Sequence, residues 1–90
     1  MPEEVLFEDE RNLTRTDVAS YLRTVADRLD SGESLTLETS TDSITVDVPR
    51  DVEFEVKVER EGPAGGPGEL GLELELEWDE NATDDSLSIQ

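Results

Sequence analysis

The sequence predicts an α+β domain: a mostly antiparallel sheet with one helix packed on one face, in the order β-α-β-β-β-β, ending in a long amphipathic β-hairpin. Three observations lead there. One segment, Val18 to Leu29, places apolar residues three and four apart. Two segments on either side of Gly62–Gly68 alternate apolar with charged residues, Gly71 being the one uncharged member of the polar set. Glycine, proline and short polar residues mark the boundaries between these stretches.

Taken in chain order, Val5, Leu6 and Phe7 in an acidic frame read as a short first strand at a sheet edge. Thr14 is placed to N-cap a helix starting at Arg15, with Asp17 at the third position to reach back and Leu13 to staple against Val18. Val18, Leu22, Val25, Ala26 and Leu29 form one stripe, and Gly32 supplies a left-handed stop after about 16 residues, roughly 24 Å. Leu35 and Leu37, then Ile44, Val46 and Val48, alternate with polar residues as two short strands, and Pro49 ends the second. Val52, Phe54, Val56 and Val58 alternate with charged residues, as do Leu70, Leu72, Leu74, Leu76 and Trp78. Parity restricts the pairing of these strands to shifts of two residues. If Glu61 opposes Glu69, Phe54 faces Leu76, Val56 faces Leu74 and Val52 faces Trp78. On the other face Lys57 then meets Glu73, while Glu53 meets Glu77 and Glu55 meets Glu75 as repelling carboxylate pairs. The expected organisation is one domain over residues 1–78 and an acidic flexible tail over 79–90, in which Leu87 and Ile89 are the late apolar residues.

Composition closes many functions. With 90 residues, 33% hydrophobic, the chain has material for one small core. Cysteine and histidine are both absent, which removes disulfides, thiolate nucleophiles, the commonest general base and the usual transition-metal ligands. The acidic N-terminus does not resemble a secretory leader and no apolar run suits a membrane span, so a cytoplasmic protein is expected. The formal net charge is −18, from 25 Asp and Glu against 7 basic residues, of which Lys57 is the single lysine. Disorder does not fit the regular alternation. Depletion of lysine and an even spread of short carboxylates favour a surface adapted to concentrated salt, where the Debye length shrinks to about 3 Å at 1 M.

The Gly62–Gly68 segment lacks a Gly-Lys-Ser/Thr ending and leads into a strand, so it reads as a turn rather than a phosphate cradle. Asp79, Asn81 and Thr83 imitate the start of a calcium loop, but Asp84 stands where glycine is needed and Gln90 where a bidentate glutamate belongs. Arg15, Arg23 and Arg28 form no stripe on the helix and are mixed with Asp17, Asp27 and Asp30, which argues against direct nucleic-acid binding. Glu75 with Glu77, and Asp79 with Glu80, read as solvated carboxylates rather than a catalytic dyad. No catalytic, cofactor-binding or metal-ligating residue is assigned, and no cofactor is expected.

Four stretches together resemble a known family: PEEVLFE at 2–8, SYLRTVADRLDSGESLTL at 20–37, EFEVKVEREGP at 53–63 and GELGLELELEWDE at 68–80. They are similar to the amphi-Trp domain, found in small proteins common in haloarchaea and named for an amphipathic strand leading to a tryptophan, here Trp78. The resemblance implies a halophilic source and a cytoplasmic protein, and it carries over no active-site residue. The functional expectation is a non-enzymatic interaction or structural module, self-associating or binding a protein partner through a candidate surface of Trp78, Leu76, Leu74 and Phe54. Neither membrane nor direct nucleic-acid binding is expected. The alternative is an acidic imitation of nucleic acid that captures a basic protein.

Overall fold

A computed structural model of the chain describes residues 3–81. The protein is α+β: helix α1 (Arg15–Ser31) is followed by strands β1 (Leu35–Glu38), β2 (Ser43–Val46), β3 (Glu53–Glu61) and β4 (Glu69–Glu77). The strands form two antiparallel two-stranded sheets, β1–β2 and β3–β4, rather than one continuous sheet. Residues 1–48 and 49–90 make two compact units, and each is described on its own.

In the first unit, α1 begins where its cap requires. Thr14 is extended, at φ −72° and ψ 154°, and its Oγ1 accepts a hydrogen bond from the Asp17 N–H at 3.1 Å. The first helical bond, from the Val18 N–H to the Thr14 carbonyl, measures 3.0 Å. At the other end Gly32 takes φ 74°, and its N–H joins that of Glu33 on the Arg28 carbonyl. That left-handed residue with a six-to-one bond is the glycine stop expected from sequence, reinforced by an Arg28–Glu33 ion pair.

The β1–β2 hairpin sets Leu35 opposite Val46 and Leu37 opposite Ile44. On its other face the Thr36 and Thr45 hydroxyls meet at 3.0 Å. Its turn closes through the Thr39 N–H on the Asp42 carbonyl at 2.8 Å and the Asp42 N–H on Thr39 Oγ1 at 3.1 Å. α1 touches β1.

The expected first strand does not form. Val5 and Leu6 are 68% and 65% exposed, and residues 3–10 contain no strand. Three apolar residues gain too few ladder bonds to offset the cost of ordering the backbone without a strand beside them. Phe7 instead lines a groove of about 730 Å³ with Leu13 ahead of the helix cap, Val18, Tyr21 and Leu22 of α1, and Leu35 and Leu37 of β1. Just beyond Phe7, the Arg11 guanidinium forks onto the Asp9 carboxylate at 2.7 and 3.0 Å. That fork holds the Asp9 carboxyl below its usual pKa and the arginine above its own.

The second unit is the β3–β4 hairpin. Its register is the one with Glu61 opposite Glu69, so Phe54 pairs with Leu76, Val56 with Leu74 and Val58 with Leu72. Val52 and Trp78 stand one residue outside the ladder at its open end. At the closed end Gly62 adopts φ 140° and Gly65 φ 77°. A Cβ on Gly68 would stand 2.3 Å from the Glu61 carbonyl oxygen, a space only glycine fits. Arg60, opposite Leu70, reaches over the loop and donates to the Pro63 carbonyl at 3.2 Å and to the Gly66 carbonyl.

A closed hydrophobic core, expected from the apolar count, is not found among the described residues: none is buried.

Candidate functional site

The most distinctive surface lies on the β3–β4 hairpin, and it follows from the period of two. Even positions of β3 and β4 share one face, and all but Arg60 are apolar; odd positions share the other. On the apolar face Phe54, Val56, Val58, Leu70, Leu72 and Leu74 remain between 48% and 77% exposed. Leu76, Val52 and Trp78, at the open end, are half-buried. Of the four residues expected to form an interaction surface, Phe54, Leu74 and Leu76 therefore share this face, and Trp78 continues its row beyond β4.

The opposite face carries eight glutamates among its ten ladder positions, with Lys57 and Gly71 as the exceptions. Lys57 Nζ lies 3.5 Å from Glu73 across the ladder and 3.8 Å from Glu59 on its own strand. Glu59 first, and then Glu73, raise its pKa. The like-charged pairs Glu53–Glu77, Glu55–Glu75 and Glu61–Glu69 are present as the register requires.

Where two of these pairs adjoin, Glu55, Glu75 and Glu77 each bring a carboxylate oxygen within 4.8 Å of the others. Hydrogen bonding to Glu77 and its charge raise the pKa of Glu75, so this carboxyl holds its proton to higher pH than an isolated one. Glu55 faces Glu75 as the expected register requires, and the structure adds that Glu77 joins the two in one cluster. All three are exposed, and a cation could bridge them. Exposed carboxylates also lie this close on acidic surfaces without one.

At the open end of the hairpin the stretches 51–53 and 77–79 run side by side, because Glu53 pairs with Glu77. Asp51, Val52, Glu53, Glu77, Trp78 and Asp79 line an open cleft of about 460 Å³ between them. Arg50 lies 3.4 Å from Asp51 at its edge. Val52 and Trp78, expected to face each other, share this cleft; that Asp51 joins them was not foreseen. The signal was the symmetric spacing of Asp51-Val52-Glu53 and Glu77-Trp78-Asp79, each an apolar residue between two carboxylates.

The glycine segment 62–68 joins two strands and opens no helix, in keeping with its reading as a turn. Of the imitation calcium loop, Thr83, Asp84 and Gln90 fall outside the described residues, as do Leu87 and Ile89.

An amphipathic hairpin whose apolar row runs out to a tryptophan is the feature after which one family is named, and the family model for the amphi-Trp domain matches residues 1–90. The chain belongs to the amphi-Trp domain family. No curated protein and no solved structure matches it. In this amphi-Trp domain the amphipathic strand is β4, and the tryptophan at its end forms part of the cleft wall. Among the described residues no helix is long and apolar enough to cross a membrane.

Proposed function

We propose that this amphi-Trp protein is a non-enzymatic, cytoplasmic interaction module of a halophile that self-associates through the apolar face of the β3–β4 hairpin. One observation carries the reading: the six side chains from Phe54 to Leu74 left largely in water. They expose on the order of 600 Å² of contiguous apolar surface, at the upper limit of what monomers present. Two such faces brought together bury about 1,200 Å², the lower bound of a specific interface. A second copy suits this face because each hairpin offers the same apolar row, and a two-fold arrangement closes without a free end. Concentrated salt supports the pairing by screening the acidic surfaces and strengthening apolar burial.

The test is sedimentation velocity at about 2 M KCl, where the Debye length is below about 3 Å. The wild-type chain should sediment as a dimer, and Phe54→Glu or Leu74→Glu as a monomer with unchanged circular dichroism. A wild-type monomer at all accessible concentrations overturns the reading.

A second reading, the acidic imitation of nucleic acid, is favoured by the eight glutamates on the outer face of the hairpin. It requires saturable, salt-sensitive capture of a basic protein that substitution of Glu53, Glu55, Glu73 and Glu77 by glutamine abolishes.

A further inference from the structure

We propose that the two copies joined through the apolar face of the β3–β4 hairpin lie head to tail, with Arg60 of each copy against Trp78 of the other. The inference rests on the self-association reading and adds the polarity of the interface, which buried area alone leaves open.

The face runs in rows from Val52 beside Trp78, through Phe54 with Leu76, Val56 with Leu74 and Val58 with Leu72, to Arg60 with Leu70. Its two ends differ. Arg60 is the single charged member and stands in the last row, at the closed end. Its guanidinium donates to the Pro63 carbonyl at 3.2 Å and to the Gly66 carbonyl, so the loop holds it at the margin of the face. Among the described residues it forms no ion pair. The other end closes on the half-buried Trp78, with Asp51 and Asp79 next to it.

A two-fold axis that lays one such face on another runs in the plane between them, either along the strands or across them. An axis along the strands sets closed end on closed end. The two Arg60 groups then stand on the order of 10 Å apart, the spacing of stacked sheets, and the Asp51 and Asp79 carboxylates of both copies crowd the opposite end. An axis across the strands, through Val56 and Leu74, separates the two Arg60 groups by about 27 Å, eight residues at roughly 3.3–3.4 Å each. It lays Phe54 and Leu76 on Val58 and Leu72, and the row of Arg60 on the row of Trp78. Each guanidinium there meets an indole, the ring with the strongest attraction for a cation, at the more negative end of the other hairpin. Because the charge stays at the rim, its remaining N–H groups keep water while the rows between become dry.

The test is the distance between copies. The chain has no cysteine, so Glu61→Cys, on the outer face at the closed end, takes one nitroxide label per copy. Double electron–electron resonance at about 2 M KCl should give a separation near ~40 Å, against roughly 25 Å for closed end on closed end, from strand rise, sheet spacing and label arms. Sedimentation of the same samples separates the two readings. A dimer with the short distance overturns the head-to-tail arrangement and leaves self-association standing, whereas a monomer overturns both. Trp78, the single tryptophan, adds a second readout. Its emission should shift when the wild-type dimer is diluted to monomer. Arg60→Gln should weaken dimerisation at least threefold with unchanged circular dichroism, and its emission shift should be smaller. Wild-type affinity together with a wild-type shift in this variant overturns the contact between Arg60 and the indole.

Discussion

Glycine at 68 and glutamate at 75 show how single residues depend on what the pairing puts beside them. Nothing local demands a glycine just before β4, yet the Glu61 carbonyl lies 2.3 Å from where a Cβ would be. Gly68→Ala should cost about 1–3 kcal/mol through forced displacement of the loop, read from denaturant unfolding at constant salt. At Glu75 the argument concerns protons. Its pKa in the folded chain is raised, chiefly by Glu77, so between the unfolded and folded values the folded state binds more protons. Stability therefore falls as pH rises through that window, and the penalty is relieved below the unfolded value. Glu75→Gln should raise the melting temperature at neutral pH by a few degrees and flatten this acid-side dependence. A melting temperature equal to wild type from acid to neutral pH would show that the carboxylates do not interact.

For whole elements the contrast is between α1 and the β3–β4 hairpin. The helix is locally specified: a threonine cap, a glycine stop and an apolar stripe agree on its limits, and it forms over Arg15–Ser31. The hairpin is specified by alternation, and the same alternation stacks carboxylate against carboxylate on its outer face. Lys57, with partners at 3.5 and 3.8 Å, is the one basic residue on that face. Exposed ion pairs of this sort contribute little, so Lys57 cannot offset the repulsion. The strand signal in circular dichroism should fall as KCl is lowered from molar to millimolar concentration. Glu55→Lys, which replaces repulsion of Glu75 by attraction, should retain more of it in dilute salt. A spectrum independent of salt in the wild-type chain would contradict this account.

At the scale of the whole chain, the governing facts are a net charge of −18 and the absence of any buried residue among those described. Isolated two-stranded hairpins are marginal in water, and stability here calls for cover on their apolar faces. Unfolding at fixed salt should therefore depend on protein concentration, its midpoint rising as the chain is concentrated, because association stabilises the folded form by mass action. Phe54→Glu should remove that dependence. A midpoint that is the same over a hundredfold range of wild-type concentration would argue against self-association.

By itself the sequence determined the local elements and the parity of the long hairpin. Capping and glycine chemistry act within a few residues of chain, and a period of two cannot slip by one without turning its leucines into water. It also determined the chemistry that is missing, since a chain without cysteine and histidine has no thiolate, no imidazole base and none of the usual transition-metal ligands. The tertiary structure decided whether a segment found a neighbour. Val5 to Phe7 had strand character and no strand to pair with, so Phe7 went to the groove beside α1. The four strands closed as two hairpins instead of one sheet, because consecutive strands meet at little entropic cost while a continuous sheet needs longer-range pairing. Trp78 was legible as the end of an apolar row facing Val52, with Glu77 and Asp79 beside it in the chain; that Asp51 joins them in one cleft was not, because Asp51 lies beyond the ladder, where alternation no longer fixes the pairing.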